Sequence, residues 1–354
     1  MKGITPKKWI ISFLCLSLIC VMVLSFITYI IDPFFQYRVK DHTYFLNSAY
    51  VNSGLIKNYD YDTIIVGSCM IGNTDVDQFR DKLGLNPIKV ENGAMVPAEI
   101  NTYLKFASKI GKAKQYYVNI DLASFQDDNT SVTNDYLMKD DILSKGRYFL
   151  GYETWFRFMP VDCALLLYKT IYQELPPGKM TQRTSVDENG TWTTEDVFSE
   201  DEVINNRKNN KYKVSSVDLD DLDNRMINNI DSFVSDINFD AGSYTFIFPP
   251  YSSLYWCDAQ DQGYCDSFIK AKRYFIKKLL KKGCTVYDFQ SADLTVDLNN
   301  YRDATHFSPE VNAWMVDCFA NGDYIINDEN MSLLQDNLLQ NIIKTRTKYP
   351  DLFS

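Results

Sequence analysis

Two short stretches carry residue types at spacings that chemistry can use. The first is Gly67-Ser68-Cys69, which closes the apolar, β-branched run Asp62–Gly67. A hydroxyl set between a strand and the next helix stands at the sheet edge, where a helix N-terminus stabilises negative charge. Taken alone, Gly-Ser after a strand reads as well as a plain turn. The second stretch is Tyr301-Arg302-Asp303-Ala304-Thr305-His306-Phe307-Ser308-Pro309. An aspartate three residues ahead of a histidine can accept from one imidazole nitrogen and leave the other facing a nucleophile, which fixes the tautomer of a general base. An isolated pair of this kind is otherwise a solvent-exposed loop. Conjunction carries the argument: the serine follows the first strand and the histidine precedes the last helix of the α/β pattern, at the same edge of the sheet. Ser68 is then the expected nucleophile, His306 the general base and acid, and Asp303 the residue that orients His306. Cys69 is the competing nucleophile, because thiolates attack better than hydroxyls. His42 and His306 are the only histidines and no C-x-x-C pair exists. The expectation is therefore no metal centre and no cofactor, with His42 a surface group near lipid headgroups.

An open parallel sheet would bring these stretches together. Pro87–Glu91 and Gln115–Asp121 read as further strands, separated from the first by helical spacing at Asp75–Leu83 and Pro97–Ile110. Asp75 is placed to cap the first of these helices. After an irregular stretch, a helix over Asp218–Asp236 and a strand over Tyr244–Phe248 restore the alternation. A helix over Asp266–Lys282, a strand over Thr285–Phe289 and a helix from Pro309 complete it. Strands alternating with helices predict one α/β domain with a parallel sheet, and ligands on such sheets bind beyond the carboxyl ends of the strands. The domain covers 62–325, with an insertion or cap at 124–215 that is partly helical around 150–175. A carboxyl-terminal helical tail occupies 326–354. Aromatic residues of the insertion, such as Tyr152, Trp155 and Trp192, are either core or the lining of a glycan cleft.

The amino terminus predicts where this domain resides. Residues 1–8 form a short tail, and from Trp9 to Ile31 there are 23 residues without a charge. At 1.5 Å per residue, that is enough to cross a hydrocarbon core of ~30 Å. The span reads as an uncleaved signal anchor, since a cleaved signal has a shorter apolar region and a small-residue cleavage site. Lys2, Lys7 and Lys8 before it favour a cytoplasmic amino terminus and an extracytoplasmic remainder. Residues 32–61 make a stalk and lead-in, with Asp32-Pro33-Phe34-Phe35 stopping the helix. The chain of 354 residues has 36 basic and 46 acidic side chains, a net charge of −10, and no basic block. That balance argues against nucleic acid as a partner. Cys257 and Cys265 are spaced to close a short disulfide loop in an oxidising compartment, with two unrelated thiols as the alternative.

Gly67-Ser68-Cys69, Gly93 after the second strand and Asp303-x-x-His306 resemble, in that order, three blocks of the SGNH (GDSL-like) hydrolase superfamily. Its fold is a flavodoxin-like three-layer α/β/α sandwich. With the membrane anchor, Asp32-Pro33-Phe34-Phe35 and the run Phe246-Ile247-Phe248-Pro249-Pro250-Tyr251-Ser252, the chain is similar to a group of single-span bacterial proteins. That group is related to the teichoic-acid D-alanylation protein DltD and to alginate O-acetylation proteins. The resemblance covers most of 30–325. It implies a serine esterase or O-acyltransferase acting on a cell-envelope polysaccharide or cell-wall polymer, partnered by a multi-span membrane O-acyltransferase. It also implies an oxyanion hole built from backbone N–H groups at Ser68 or Cys69 and at Gly93, with Asn119 as a side-chain donor. The superfamily's Gly-x-Asn-Asp block is replaced here by Val118-Asn119-Ile120-Asp121-Leu122. An ionised Asp121 on the strand face of Asn119 would repel an oxyanion, which favours transfer or a non-catalytic role over general hydrolysis. The alternative function is a non-catalytic module of the same fold that binds a glycan or a membrane protein within an envelope-modification complex.

Overall fold

The computed structural model describes residues 5–38, 48–127, 132, 134–160, 163–164, 171, 197–209 and 217–353. His42 and Trp192 lie outside them. In chain order the elements are α1 (Pro6–Ile31), α2 (Ser48–Asn58), β1 (Thr63–Gly67), α3 (Val76–Leu83), β2 (Pro87–Glu91), α4 (Pro97–Ile110) and β3 (Gln115–Asn119). Then come α5 (Ile142–Leu150), α6 (Glu200–Lys208), α7 (Leu222–Ser235), β4 (Ser243–Phe248), α8 (Ser253–Asp261), α9 (Cys265–Lys281) and β5 (Thr285–Asp288). The chain closes with α10 (Pro309–Asn321) and α11 (Met331–Lys348).

The described residues fall into two compact units, those of Met1–Tyr59 with Asn134–Thr181 and those of Asp60–Thr133 with Gln182–Ser354. The expected insertion is therefore divided: its described residues from Asn134 to 171 belong to the amino-terminal unit, and those before and after them to the larger one. In that unit α1 is a 26-residue helix long and apolar enough to cross a membrane. Asp32 ends it in the left-handed region at φ 47°, donating its N–H to the Thr28 carbonyl. The Asp32 carboxylate then accepts from the N–H groups of Gln36 and Tyr37 and, at 2.6 Å, from the Tyr148 hydroxyl. Around that buried carboxylate Phe34, Tyr50, Tyr136, Leu137, Tyr148 and Phe158 form an apolar core.

The larger unit is α/β. Its five strands are all parallel in the order β2-β1-β3-β4-β5, so the winding reverses between β1 and β3. Side-chain parity sorts the strand residues onto two covered faces. Tyr116 of β3 and Tyr244 of β4 stack at 4.4 Å, and further along β4 Phe248 meets Phe275 of α9, which also packs on Phe233 of α7. On the opposite face Tyr117 of β3 and Tyr287 of β5 pack on Phe319 of α10, and Tyr117 also meets Phe79 of α3. Local chemistry ends the elements where expected. Asp75 accepts from the Asp77 N–H at the start of α3, and Gly84 and Gly111 take φ of 67° and 76° after α3 and α4. Only a residue without a Cβ enters that region without strain.

Cys257 and Cys265, whose spacing left a disulfide loop and two unrelated thiols both open, are separate buried thiols. The Cys257 thiol instead faces the Ile342 carbonyl of α11 at 3.7 Å.

Candidate active site

The site lies in the larger unit, at the carboxyl ends of β1 and β4. After Gly67 the chain makes one 3-10 turn, Cys69–Ile71, before α3. The loop 301–307 closes on itself: Arg302 donates its N–H to the His306 carbonyl, and Tyr301 and Phe307 form an antiparallel bridge. The run after β4 clamps that loop. Ser252 donates both its N–H and its hydroxyl to the Ala304 carbonyl, and Tyr301 donates its hydroxyl to the Pro250 carbonyl at 2.8 Å. Two further bonds tie the turn after β1 to the histidine side: Asn73 Nδ2 donates to the Phe307 carbonyl, and the Thr74 hydroxyl to Asn312 Oδ1 of α10.

Asp303 and His306 meet as their spacing predicts. The Asp303 Oδ2 accepts from His306 Nδ1 at 2.8 Å, while Oδ1 accepts from the N–H groups of Thr305 and His306 at 2.8 and 2.9 Å. With the Thr305 hydroxyl at 3.1 Å from Oδ1, four donors thus hold a carboxylate that is nearly excluded from solvent. The group at the other ring nitrogen is Cys69: its Sγ lies 3.2 Å from His306 Nε2. Ser68, the residue expected there, is not brought to the imidazole. It is the last extended residue before the 3-10 turn, 4% exposed, and its Oγ has no hydrogen-bond partner. The physical reason is a one-residue slip. Successive side chains at a strand end point to opposite sides, so the turn that buries Ser68 presents Cys69.

The expected oxyanion donors distribute differently from the expectation too. Gly93 is exposed and its N–H already donates to Asn92 Oδ1 at 2.9 Å, with the Asn92 amide held by the Glu99 carboxylate. Asn119 is buried against Gly67, and its Oδ1 has no partner. A Cβ on Gly67 would sit 2.7 Å from the Asn119 Cβ, so glycine is needed there for close approach. Cys69 alone of the three lines the crevice, with Met70, Asn73, Phe198, Arg302, His306 and Phe307. The opening N–H groups of the 3-10 turn, those of Cys69 and Met70, have no acceptor within it. Asp121 donates nothing to this crevice: it caps the 3-10 turn Leu122–Phe125 and accepts the Tyr251 hydroxyl at 2.7 Å.

Electrostatics follow from these contacts. Burial by itself disfavours the His306 imidazolium, but hydrogen bonds to Asp303 and Cys69, with their charges, outweigh it and raise the group from 6.5 to about 10. Burial likewise works against an ionised Asp303; the His306 bond and charge and the two backbone N–H groups overcome it and hold the carboxyl below 3.8. Asp121 goes the other way, raised by burial that its Tyr251 and Ala123 bonds only partly offset.

The chain matches no protein-family model and no curated protein. The chemistry of the site therefore rests on its own geometry. Arg302, whose Nε stands 3.6 Å from Asp303 Oδ2, escaped the sequence reading although it adjoins the Asp-x-x-His motif. Phe198 escaped it because the segment before α6 reaches the site only through tertiary bonds, Ser199 donating its N–H to the Tyr301 carbonyl and Asn206 its amide to the Arg302 carbonyl.

Proposed function

We propose that the chain is a membrane-anchored acyl-transfer enzyme, an esterase or O-acyltransferase, whose nucleophile is Cys69. The single observation that carries this reading is the line Cys69 Sγ–His306 Nε2–Asp303, with contacts of 3.2 and 2.8 Å. An imidazolium against the sulfur is the setting in which cysteine acts as a thiolate. The sulfur attacks the ester carbonyl carbon, a C–S bond forms, and the carbonyl electrons move onto oxygen. Collapse breaks the C–O bond, and His306 Nε2 gives its proton to the leaving alkoxide, leaving a thioester. Water or an acceptor hydroxyl then attacks the thioester, His306 takes the proton, and the thiolate departs. Asp303 keeps Nδ1–H engaged throughout, so that Nε2 faces the sulfur.

In this reading the fold is the three-layer sandwich of SGNH hydrolases, supported by the strand order β2-β1-β3-β4-β5. The α1 helix is a single-pass anchor, and Lys7 and Lys8 before its apolar stretch favour a cytoplasmic amino terminus and an extracytoplasmic active site. The substrate class that goes with such a placement is an acylated envelope glycopolymer, and the partner a multi-span membrane O-acyltransferase. Turnover of p-nitrophenyl acetate by the full chain in detergent tests the reading. Cys69→Ala and His306→Ala should abolish turnover while Ser68→Ala retains most of it; loss with Ser68→Ala and retention with Cys69→Ala would overturn the assignment.

A further inference from the structure

In the amino-terminal unit, the helical run that begins with α5 exposes large apolar side chains where a soluble surface would not. Ile142 and Leu143 are 84% and 81% exposed, and Tyr152 and Phe156 are 72% and 74% exposed. Single exposed apolar residues are ordinary, but these sit on one short run whose other side packs inward. Ile142 and Leu150, with Leu143, share the outer face of α5, while Ser144 and Tyr148 are buried. One turn later Tyr152 and Phe156 stack on each other at 5.3 Å, while Thr154 and Phe158 are buried.

This run is attached to the carboxyl-terminal end of α1. The buried Thr28 hydroxyl donates to the Phe149 carbonyl at 3.1 Å, and Trp155 Nε1 donates to the same carbonyl at 2.7 Å. Along α1, Thr28 lies about 28 Å from Trp9 at 1.5 Å per residue. A hydrocarbon core is ~30 Å thick, so Phe149 meets α1 at the level where the core gives way to headgroups. The same level carries Tyr29 and Tyr37, packed at 5.2 Å, with the Arg38 guanidinium 4.7 Å over the Tyr29 ring and bonded to the Tyr29 carbonyl. Aromatic rings and an arginine at one depth are what a membrane interface selects.

We propose that the run Ile142–Phe158 is a second, interfacial membrane contact, lying in the plane of the leaflet that the carboxyl-terminal end of α1 enters. Its exposed apolar side chains insert into the boundary between headgroups and acyl chains, to the depth of ~5–10 Å usual for interfacial helices. The run 142–158 carries one acidic and three basic side chains, with Arg147 paired to Glu153, so apolar burial leads in holding it down and attraction to anionic lipid adds to it. This rests on the anchor reading of α1, and the two contacts fix the unit's orientation where one helix alone would leave it free to swivel.

The test is photolabelling of the full chain in nanodiscs made with a phosphatidylcholine that carries a diazirine on its acyl chain, followed by peptide mapping. Labels are expected in α1 and also in peptides spanning 142–156. The second set should fall several-fold in the double variant Leu143→Gln, Phe156→Gln. Both substituted side chains are mostly exposed, so the variant keeps the core. Labels in α1 but none at 142–156 would overturn this inference and leave the anchor intact, whereas no label in α1 would overturn the anchor itself.

Discussion

Asp303→Asn isolates what the carboxylate does for the imidazole. Asparagine keeps the size of the side chain and an oxygen that can go on accepting from the Thr305 and His306 N–H groups, but it removes the charge facing Nδ1. A pKa raised from 6.5 to about 10 amounts to roughly 5 kcal/mol in favour of the imidazolium, at about 1.4 kcal/mol per pH unit. That balance is net of a burial penalty, which the substitution leaves in place, and the Asp303 bond is the largest contribution opposing it. His306 in the variant should therefore titrate well below the wild type, shifted from about 10 back towards its ordinary value. The chain has two histidines, so histidine-selective isotope labelling with a His42→Gln background leaves one imidazole to follow by NMR. Stability should move too. A folded pKa above the unfolded one contributes stability that is complete below pH 6.5 and is lost as pH rises through about 10. The wild-type melting temperature should fall across that window, and that of Asp303→Asn should be flatter. A wild-type His306 titrating near 6.5, or a variant titrating with the wild type, would refute the argument.

Other consequences are equally direct. Gly67→Ala puts a methyl 2.7 Å from the Asn119 Cβ, at the crossing that seats the 3-10 turn Cys69–Ile71. A loss of about 1–3 kcal/mol in stability is expected, with a larger loss of turnover than any change in KM, by thermal melts and kinetics. Tyr148→Phe removes the hydroxyl donated to the buried Asp32 carboxylate and should cost about 1–3 kcal/mol, read as faster proteolysis within the amino-terminal unit. Burial pushes the Cys257 and Cys265 thiols up to about 12 and about 11, so both should resist alkylation in the folded chain and react after denaturation without any reductant. Alkylation after denaturation that depends on prior reduction would show a disulfide instead.

How far the sequence could be read follows from whether the deciding interaction is local. The Asp303–His306 pair was legible because it is made within a single loop, with the carboxylate bound to N–H groups two and three residues on. The start of α3 at Asp75 was legible for the same reason, since a cap is set by the residues beside it. Choosing Ser68 over Cys69 was not. Every residue of β1 is buried, so the run offers no alternation from which to assign faces, and one residue of slip exchanges the two side chains. Gly93 was misjudged because a neighbouring amide, Asn92, captures its N–H. The packing of 134–160 in the amino-terminal unit was out of reach, as it depends on contacts such as Asp32 to Tyr148 across 116 residues.

The most direct measurement is the location of the covalent intermediate. The full chain, in detergent, is mixed with p-nitrophenyl acetate, quenched with acid and mapped by mass spectrometry. The account predicts an acetyl group on the sulfur of Cys69, released by neutral hydroxylamine as thioesters are, and absent from His306→Ala. An acetyl group on Ser68, or one on Cys69 that forms equally well without His306, would contradict it.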